Sequence, residues 1–299
     1  MQGMSIHKYP SFRNPNKPAK IRLIRLNQYF LYLGPKLLPM KIRMFQVDAF
    51  TKNLFGGNPA AVCLLTQKLP DELMQKISAE NNLAETAFVT ETGDSFSIRW
   101  CTPKVEVDLC GHATLASAHV IFHHLDYPKK VIRFTSRSGI LEVRKEKDML
   151  ILNFPTDTLQ KGCLPPPVTE SLGMDPVEIL KGKTDYLLVY ENQDQVEALD
   201  PDFTGLCKAT ARGIIATAKG KESDFVSRFF APSVGINEDP VTGSAHTTLI
   251  PYWSARLGKK EMTAIQLSER RGYLKCKDLG ERVEIAGQAV TYMVGEIEV

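Results

Sequence analysis

The chain carries one residue pattern twice, and this repetition limits the folds that are open to it. The stretch DLCGHATLASAH begins at Asp108, and EDPVTGSAHTTL begins at Glu238. Each places an acidic residue shortly before a glycine, then a small or polar pair, then an apolar helical run. Two further pairs of similar stretches occur in the same order, among them TSRSGILEV and LSERRGYLKC. The offset of about 130 residues is too long for a solenoid repeat and predicts a duplicated domain.

Each copy combines several short strands with few helices. From Leu69 and again from Leu199, the sequence predicts a turn with an N-cap acid, an amphipathic helix and a short strand, followed by a polar turn and a second strand. The proline-rich stretch NFPTDTLQKGCLPPPVTESLG links the two copies. We therefore predict an α+β fold with an N-terminal lobe at 41–155 and a C-terminal lobe at 156–299.

The first forty residues differ in composition from the remainder. They contain seven of the 37 Lys and Arg residues and none of the 34 Asp and Glu residues. We predict a flexible basic extension at 1–40, for example one translated from upstream of a start at Met40; the alternative is an organelle-targeting peptide. The rest of the chain is mildly acidic, which argues against nucleic acid as a partner.

The composition argues against several other classes of protein. No apolar run approaches the ~20 residues that a membrane-spanning helix needs, so no membrane partner is expected. Six cysteines are scattered without a CxxC pair or zinc-finger spacing. These features predict reduced thiols, a cytoplasmic location and no metal site.

Gly111 and Gly243 each precede a predicted helix, HATLASAHVIFHHL and SAHTTLIPYWSARLG. In the first helix, Leu115, Ala118 and Phe122 form an apolar face. A helix N-terminus has unpaired N–H groups and a partial positive charge, and glycine lets a ligand approach the backbone. Two such N-termini facing each other across a cleft would hold a small anion. The alternative is that both glycines form ordinary turns before a helix.

Glu85 is an acid within the apolar stretch NNLAETAFV. Burial there would raise the pKa of its carboxyl toward neutrality, which suits general acid–base catalysis. The matching stretch of the second copy, ARGIIATA, has no acid. Divergence between the copies at one position is what asymmetric chemistry requires. The alternative role for Glu85 is that of a capping residue.

Three more polar side chains lie at the glycine motifs. His112 is placed to donate to a substrate oxygen or to move a proton, and the alternative is a structural histidine. Asp239 is placed to accept a hydrogen bond from a substrate amine or hydroxyl, and the alternative is an Asx-type turn or a helix cap. Ser244 is placed to donate to a substrate carboxylate, or likewise to cap a helix.

Cys110 precedes Gly111 at a helix start, where a thiol pKa is lowered. A racemase that uses two thiols needs a second cysteine at the matching place. The sequence has Pro240, Val241 and Thr242 there. Cys110 is therefore interpreted as a small buried residue.

Four long blocks of the chain resemble the PhzF-like family of isomerases related to phenazine biosynthesis: QVDAFTKNLFGGNPAAVCLL, NNLAETAFV, CTPKVEVDLCGHATLASAHV and GINEDPVTGSAHTTLIPYW. The resemblance extends from Met40 to Val299, and a more distant one connects the chain with diaminopimelate epimerase. It implies the diaminopimelate-epimerase-like fold, in which two pseudo-symmetric lobes each wrap a curved sheet around a central helix. The last strand of such folds can return to the first lobe. The resemblance also implies a homodimer and no cofactor.

The family resemblance further implies roles for individual residues. Glu85 corresponds to the acid–base glutamate, and His112 and Asp239 correspond to the substrate-contacting pair. The carboxylate-binding groups correspond to Gly111, Gly243 and Ser244. We predict a cofactor-independent isomerase that moves a proton between carbons of a small anionic, carboxylate-bearing metabolite. The alternatives are an epimerase or racemase of an amino-acid-like substrate, and a catalytically silent binding or scaffold protein.

Overall fold

The computed structural model describes residues 40–209 and 211–299, so the predicted extension at 1–40 lies outside the described residues except for Met40. The strands of this part are β1 (Lys41–Ala49), β2 (Asn58–Leu65), β3 (Glu85–Thr92), β4 (Ser95–Cys101), β5 (Glu106–Val107), β6 (Val131–Ser136), β7 (Gly139–Glu146), β8 (Met149–Pro155), β9 (Gln160–Lys161), β10 (Glu178–Lys181), β11 (Asp185–Val189), β12 (Gly213–Lys219), β13 (Phe225–Phe230), β14 (Glu261–Gln266), β15 (Gly272–Asp278), β16 (Arg282–Gly287) and β17 (Ala289–Glu298). The helices are α1 (Asp71–Asn81), α2 (Gly111–His124), α3 (Pro166–Glu170), α4 (Gln193–Glu197), α5 (Phe203–Leu206) and α6 (Gly243–Leu257). None of these helices has both the length and the apolar character needed to cross a bilayer.

The strand pairing repeats in the two halves of the chain. In the first half β1–β2 is antiparallel, β2–β3 parallel, β3–β4 antiparallel and β4–β6 parallel, and β6, β7 and β8 form antiparallel pairs. In the second half the pairs β10–β11, β11–β12, β12–β13, β13–β14, β14–β15 and β15–β16 follow the same alternation. An antiparallel pairing of β8 with β16 joins the two series. This repeated connectivity confirms the predicted duplication and the α+β fold with two pseudo-symmetric lobes.

The last strand, β17, pairs with the first, β1. Lys41–Ile297 form one compact unit. Among the remaining described residues, Met40 and Val299 exchange two backbone hydrogen bonds of 2.8 and 2.9 Å. The lobe boundary at residue 155 stays a prediction. Strand β8 ends at this residue, but it also pairs with β16 of the second half, so the sheet continues across the boundary.

Helices α2 and α6 occupy corresponding buried positions in the two halves. α2 packs against β1, β2, β3 and β8, and α6 packs against β15 and β16. The predicted apolar face of α2 is buried, but so is every other residue from Gly111 to Phe122. The helix therefore packs in the core, as its apolar face predicts, and is enclosed on all sides from Gly111 to Phe122. Each fully buried Leu or Ile contributes about 1.5–3 kcal/mol, so this packing fixes the position of the α2 N-terminus firmly.

Helices α1 and α5 precede the third strand of their halves, where the sequence predicts an amphipathic helix with an N-cap acid. Each differs from this prediction in one respect. The N-cap residue of α1 is Pro70, which has no side-chain acceptor, and the acids Asp71 and Glu72 lie in the first helical turn. Their charges complement the helix dipole without capping the helix. In the second half Asp202 does cap a helix, since it accepts from the Thr204 N–H. That helix, α5, has only four residues, and they include glycine, a poor helix former.

Candidate active site

A cavity of about 170 Å³ lies where the N-termini of α2 and α6 meet. All six predicted site residues line it: Glu85, Gly111, His112, Asp239, Gly243 and Ser244. Its apolar wall includes Val105, Val107, Leu109, Phe229, Val234 and Ile236. The structure thus brings together residues from both halves of the chain in one site. The apolar wall strengthens electrostatic interactions inside this site, because it lowers the local dielectric constant.

Gly111 and Gly243 are in direct backbone contact. A Cβ atom added to Gly111 would lie 3.1 Å from the Cα of Gly243, and one added to Gly243 would lie 3.2 Å from the Cα of Gly111. Neither N-cap residue, Cys110 or Thr242, caps its helix with a side-chain hydrogen bond. Two helix N-termini therefore direct N–H groups and partial positive charge toward the same cavity, which suits a small anion. The alternative of two unrelated turns does not account for this contact.

Glu85 is the first residue of β3 and reaches the cavity with a side chain that is 13% exposed. The C-cap residue of α1 is Asn82, so Glu85 does not cap that helix. Burial raises the pKa of the Glu85 carboxyl to about 8, and the negative charge of Asp239 acts in the same direction. A hydrogen bond with the Cys110 thiol and the charge of Arg212 oppose this shift of the pKa. A carboxyl with such a pKa can both accept and give a proton near neutral pH.

His112 lies beside Glu85 at the start of α2. Its Nε2 atom is 3.3 Å from Oε2 of Glu85, and its Nδ1 atom is 3.5 Å from Sγ of Cys110. Burial lowers the pKa of His112 to about 3, so the ring is neutral at pH 7. Neither Oε2 of Glu85 nor Nε2 of His112 has a well-aligned hydrogen-bond partner among the described residues. Buried polar atoms in this state are typical of a site that binds a ligand.

Asp239 is held by residues from both halves of the chain. Its Oδ1 atom accepts a hydrogen bond from Asn58 at 2.7 Å, and its Oδ2 atom accepts one from the Thr242 hydroxyl at 2.6 Å. Burial raises the pKa of Asp239 to about 6, and these two hydrogen bonds and the charge of Arg212 oppose that shift. Asp239 is therefore mostly ionised at pH 7 and acts as a hydrogen-bond acceptor. The N-cap residue of α6 is Thr242, so the alternative of Asp239 as its cap is wrong.

Three residues that contribute to the site are not predicted from the sequence: Asn58, Asp185 and Arg212. Arg212 lines the cavity and donates at 3.0 Å both to the Ser244 hydroxyl and to Oδ1 of Asp185. Asn58 donates to the carbonyl of Val241 as well as to Asp239. The partners of Asn58 lie more than 180 residues away, so no local pattern reveals them. A signal for Arg212 does exist, because it lies within ARGIIATA, the stretch of the second copy that matches the surroundings of Glu85.

Cys110 is buried, as predicted, with 6% of its surface exposed. Burial raises the pKa of its thiol well above the usual value, and the charge of Glu85 acts in the same direction. The matching N-cap residue of the second half is Thr242, which is not a thiol. Metal-ligating atoms of Glu85, Cys110 and His112 lie within 4.8 Å of one another. A metal ion here would require an ionised thiol and carboxylate, and the absence of a metal site stays a prediction.

Both the sequence and the fold match known proteins. The sequence model of the phenazine biosynthesis-like protein family, PhzC-PhzF, matches residues 47–295. The chain belongs to the PhzC-PhzF family. The resemblance inferred from its four sequence blocks is thereby confirmed.

Individual PhzC-PhzF relatives are similar over nearly their whole length. An uncharacterized isomerase of Pseudomonas aeruginosa is 50% identical over 258 residues, which cover 86% of this chain and 99% of the relative. A crystal structure of a PhzF-family phenazine biosynthesis protein from Enterococcus faecalis has 42% identity and a TM-score of 0.84, covering 87% of this chain and 100% of that chain. A probable proline racemase of Agrobacterium radiobacter, with 7% identity and a TM-score of 0.59 over 86% of this chain and 92% of that one, shares the fold alone. These matches confirm the predicted diaminopimelate-epimerase-like fold class.

Proposed function

We propose that the chain is a cofactor-independent isomerase that moves a proton between carbons of a small carboxylate-bearing metabolite. The observation that carries this proposal is the position of Glu85, a largely buried carboxyl with a pKa raised to about 8 beside two facing helix N-termini. The isomerase name of the relative from Pseudomonas aeruginosa supports the same reaction class.

The carboxylate of the substrate binds at the facing N-termini of α2 and α6. Backbone N–H groups that follow Gly111 and Gly243 donate to its oxygens, and the Ser244 hydroxyl adds a further donor. The cavity volume of about 170 Å³ favours a small metabolite. The apolar wall of the cavity contacts the carbon skeleton of this molecule.

Proton transfer begins when ionised Glu85 accepts a proton from one carbon of the bound acid. The electron pair of the broken C–H bond delocalises into the neighbouring unsaturated system. The acidic proton of protonated Glu85 exchanges with solvent, and Glu85 then gives a proton to a different carbon, where a new C–H bond forms and the double bond shifts. No electron is gained or lost and no co-reactant is consumed. A pKa near neutrality lets one carboxyl serve both half-reactions.

His112 and Asp239 orient the substrate. The neutral ring of His112, whose Nε2 atom lies 3.3 Å from Glu85, hydrogen-bonds to a substrate oxygen near the migrating proton. Ionised Asp239 accepts a hydrogen bond from a substrate hydroxyl or amine. The fixed hydrogen bonds from Asn58 and Thr242 hold the Asp239 carboxylate in place for this contact.

Incubation with a metabolite extract in heavy water tests this function, with products analysed by NMR and mass spectrometry. An isomerase leaves deuterium on a product carbon and shifts a double bond. An amino-acid racemase leaves deuterium on a carbon whose connectivity is unchanged. A silent binding or scaffold protein leaves no deuterium. Either of the last two outcomes contradicts the proposal.

Two glutamate variants assign the proton transfer to Glu85. Glu85→Gln keeps the shape of the side chain but removes the base, so the rate of deuterium incorporation falls by about a hundredfold or more. Glu91→Gln is the matched control, because Glu91 lies on the same strand with its side chain exposed. Full activity in Glu85→Gln contradicts the role proposed for this residue.

The homodimer that the family resemblance implies, and the cytoplasmic location, stay predictions. Sedimentation equilibrium checks the first, because a homodimer gives twice the mass of one chain. Fractionation of the source cells checks the second.

A further inference from the structure

We propose that Arg212 binds the substrate's carboxylate together with Ser244 and makes the site specific for an acid over its uncharged amide. This inference rests on the proposed function, because it concerns the same cavity. Arg212 is the one Lys or Arg among the described residues that line this cavity. Its guanidinium group carries a full positive charge, which is paired with the buried Asp185 carboxylate, whereas each helix N-terminus supplies about half a charge.

The guanidinium group of Arg212 is fixed on three sides. Nε donates to Oδ1 of Asp185 at 3.0 Å, and Nη2 donates to Oδ2 of the same buried carboxylate. Nη2 also donates to Oγ of Ser244 at 3.0 Å. The guanidinium carbon lies 5.3 Å from the centroid of the Phe229 ring. Because these contacts hold the planar group before a ligand arrives, binding costs little side-chain entropy.

The remaining nitrogen of this group, Nη1, is available to a ligand. Among the described residues, Arg212 hydrogen-bonds only through Nε and Nη2, and its side chain is 37% exposed. Oγ of Ser244 accepts from Arg212, so the Ser244 proton is left to donate to a second acceptor. Nη1 and the Ser244 hydroxyl are therefore two neighbouring donors at the N-terminus of α6. Two donors match the two oxygens of a carboxylate.

The duplicated fold accounts for the acid in one half and the cation in the other. Glu85 is the first residue of β3, and Gly213 is the first residue of β12, at the equivalent place in the repeated pairing. A Cβ atom on Gly213 would lie 2.3 Å from Cζ of Phe229. The absence of a side chain at Gly213 therefore leaves room for the ring that supports Arg212, the residue directly before it.

A purely structural ion pair is the competing explanation for Arg212 and Asp185. The two explanations differ in their effect on ligands. A structural defect weakens the binding of charged and uncharged ligands alike, because the cavity itself is deformed. Loss of a carboxylate donor weakens the binding of an acid and leaves its amide nearly unaffected.

Benzoate and benzamide, which have nearly the same shape, distinguish these explanations when titrated into ¹⁵N-labelled protein and followed by NMR. In Arg212→Gln we expect benzoate affinity to fall about tenfold or more, as for a lost charge-assisted hydrogen bond, and benzamide affinity to change less than about twofold. Arg212→Lys should recover part of the loss, because it restores the charge without the planar fork. Arg133→Gln is the matched control, since Arg133 is 68% exposed and paired with Glu142.

Unchanged benzoate affinity in Arg212→Gln, an equal loss for both probes, or no benzoate binding to the wild-type protein overturns the inference. Its failure is distinguishable from failure of the proposed function. If Arg212→Gln binds benzoate normally while Glu85→Gln stops deuterium incorporation, the isomerase stands without the arginine contact. If the wild type incorporates no deuterium but binds benzoate, and Arg212→Gln binds it more weakly, the acid-binding site stands without the isomerase activity.

Discussion

Gly111 and Gly243 touch through their backbones, and a Cβ atom on either would lie 3.1 or 3.2 Å from the Cα of the other. This contact places the N-termini of two helices, both positively polarised, against each other. Their mutual repulsion opposes the contact in the free protein, and an anion between them relieves it. We therefore expect a bound carboxylate to raise the thermal stability of the protein as well as to occupy the site.

Gly111→Ala tests the close approach of the two helices. Alanine fits the backbone conformation of a helix start, but its Cβ forces the helices apart by a few tenths of an ångström. We expect the free energy of unfolding to fall by roughly 1–3 kcal/mol, as for an overpacked core, and benzoate affinity to fall as well. Denaturant titration measures the first effect and NMR titration the second.

Gly295→Ala is the control for this substitution. The nearest atom to a Cβ at Gly295 is the flexible thioether sulfur of Met293, at 3.2 Å. This variant should therefore keep the stability and the benzoate affinity of the wild type. Wild-type stability and affinity in Gly111→Ala would mean that the helix contact is not tight.

The raised pKa of Glu85 predicts a pH-dependent stability. The pKa of Glu85 is about 8 in the folded protein, against a usual value of 4.5. Between these values the folded state holds a proton that the unfolded state has lost, so the free energy of unfolding falls as pH rises. The loss across this window is on the order of a few kcal/mol, and Glu85→Gln should abolish it.

Denaturant titrations from pH 4 to 9 measure this effect as the difference between wild type and Glu85→Gln. Other groups that titrate in the same window are common to both proteins and cancel in the difference, except for Asp239, whose charge interacts with that of Glu85. Glu91→Gln should follow the wild-type curve, because Glu91 is exposed. A difference that does not vary with pH shows that the pKa of Glu85 is ordinary.

Asp239→Asn should lower the pKa of Glu85. The negative charge of Asp239 is one of the two causes that raise this pKa. Asparagine removes the charge while its single side-chain oxygen can still accept from Asn58, and its amide nitrogen then faces the Thr242 hydroxyl oxygen. The carboxyl ¹³C chemical shift of Glu85, followed through a pH titration, reports the change. An unchanged or higher pKa in the variant rules out electrostatic coupling between the two carboxyls.

Cys110→Ala should keep the deuterium incorporation rate within about tenfold of the wild type, because the buried thiol is not the base in the proposed mechanism. The smaller side chain leaves a small cavity that costs about 1 kcal/mol of stability. The incorporation assay in heavy water measures the rate. Complete loss of activity in a folded Cys110→Ala protein would instead favour a thiol-based epimerase.

The sequence predicts the duplicated fold because the duplication is visible in local patterns. The helices that follow Gly111 and Gly243 and the strand that holds Glu85 are found where glycine punctuation and apolar runs place them. The burial of the apolar face of α2 is also predicted, but its enclosure on the remaining sides from Gly111 to Phe122 is not. The spacing of apolar residues predicts which face of a helix is buried, but not how much of the remaining helix surface the rest of the fold covers.

The polar contacts around the site are harder to predict, because they join residues far apart in the chain. Asn58 and Asp239 are 181 residues apart, yet their side chains lie 2.7 Å from each other. Nothing in the residues next to Asn58 specifies such a partner. Asp185 and Arg212 likewise meet only because β11 and β12 pair in parallel. Comparison of the two copies comes nearest to revealing Arg212, since this residue directly precedes Gly213, which occupies the place of Glu85 in the second copy.

A crystal structure with benzoate bound tests most directly the claim that two facing helix N-termini hold a carboxylate beside Glu85. We expect carboxylate oxygens within about 3 Å of backbone nitrogens at the N-termini of both α2 and α6. We also expect the ring of the ligand to contact the Glu85 carboxyl. Benzoate bound away from either helix N-terminus, or a Glu85 side chain turned out of the cavity, would contradict the account.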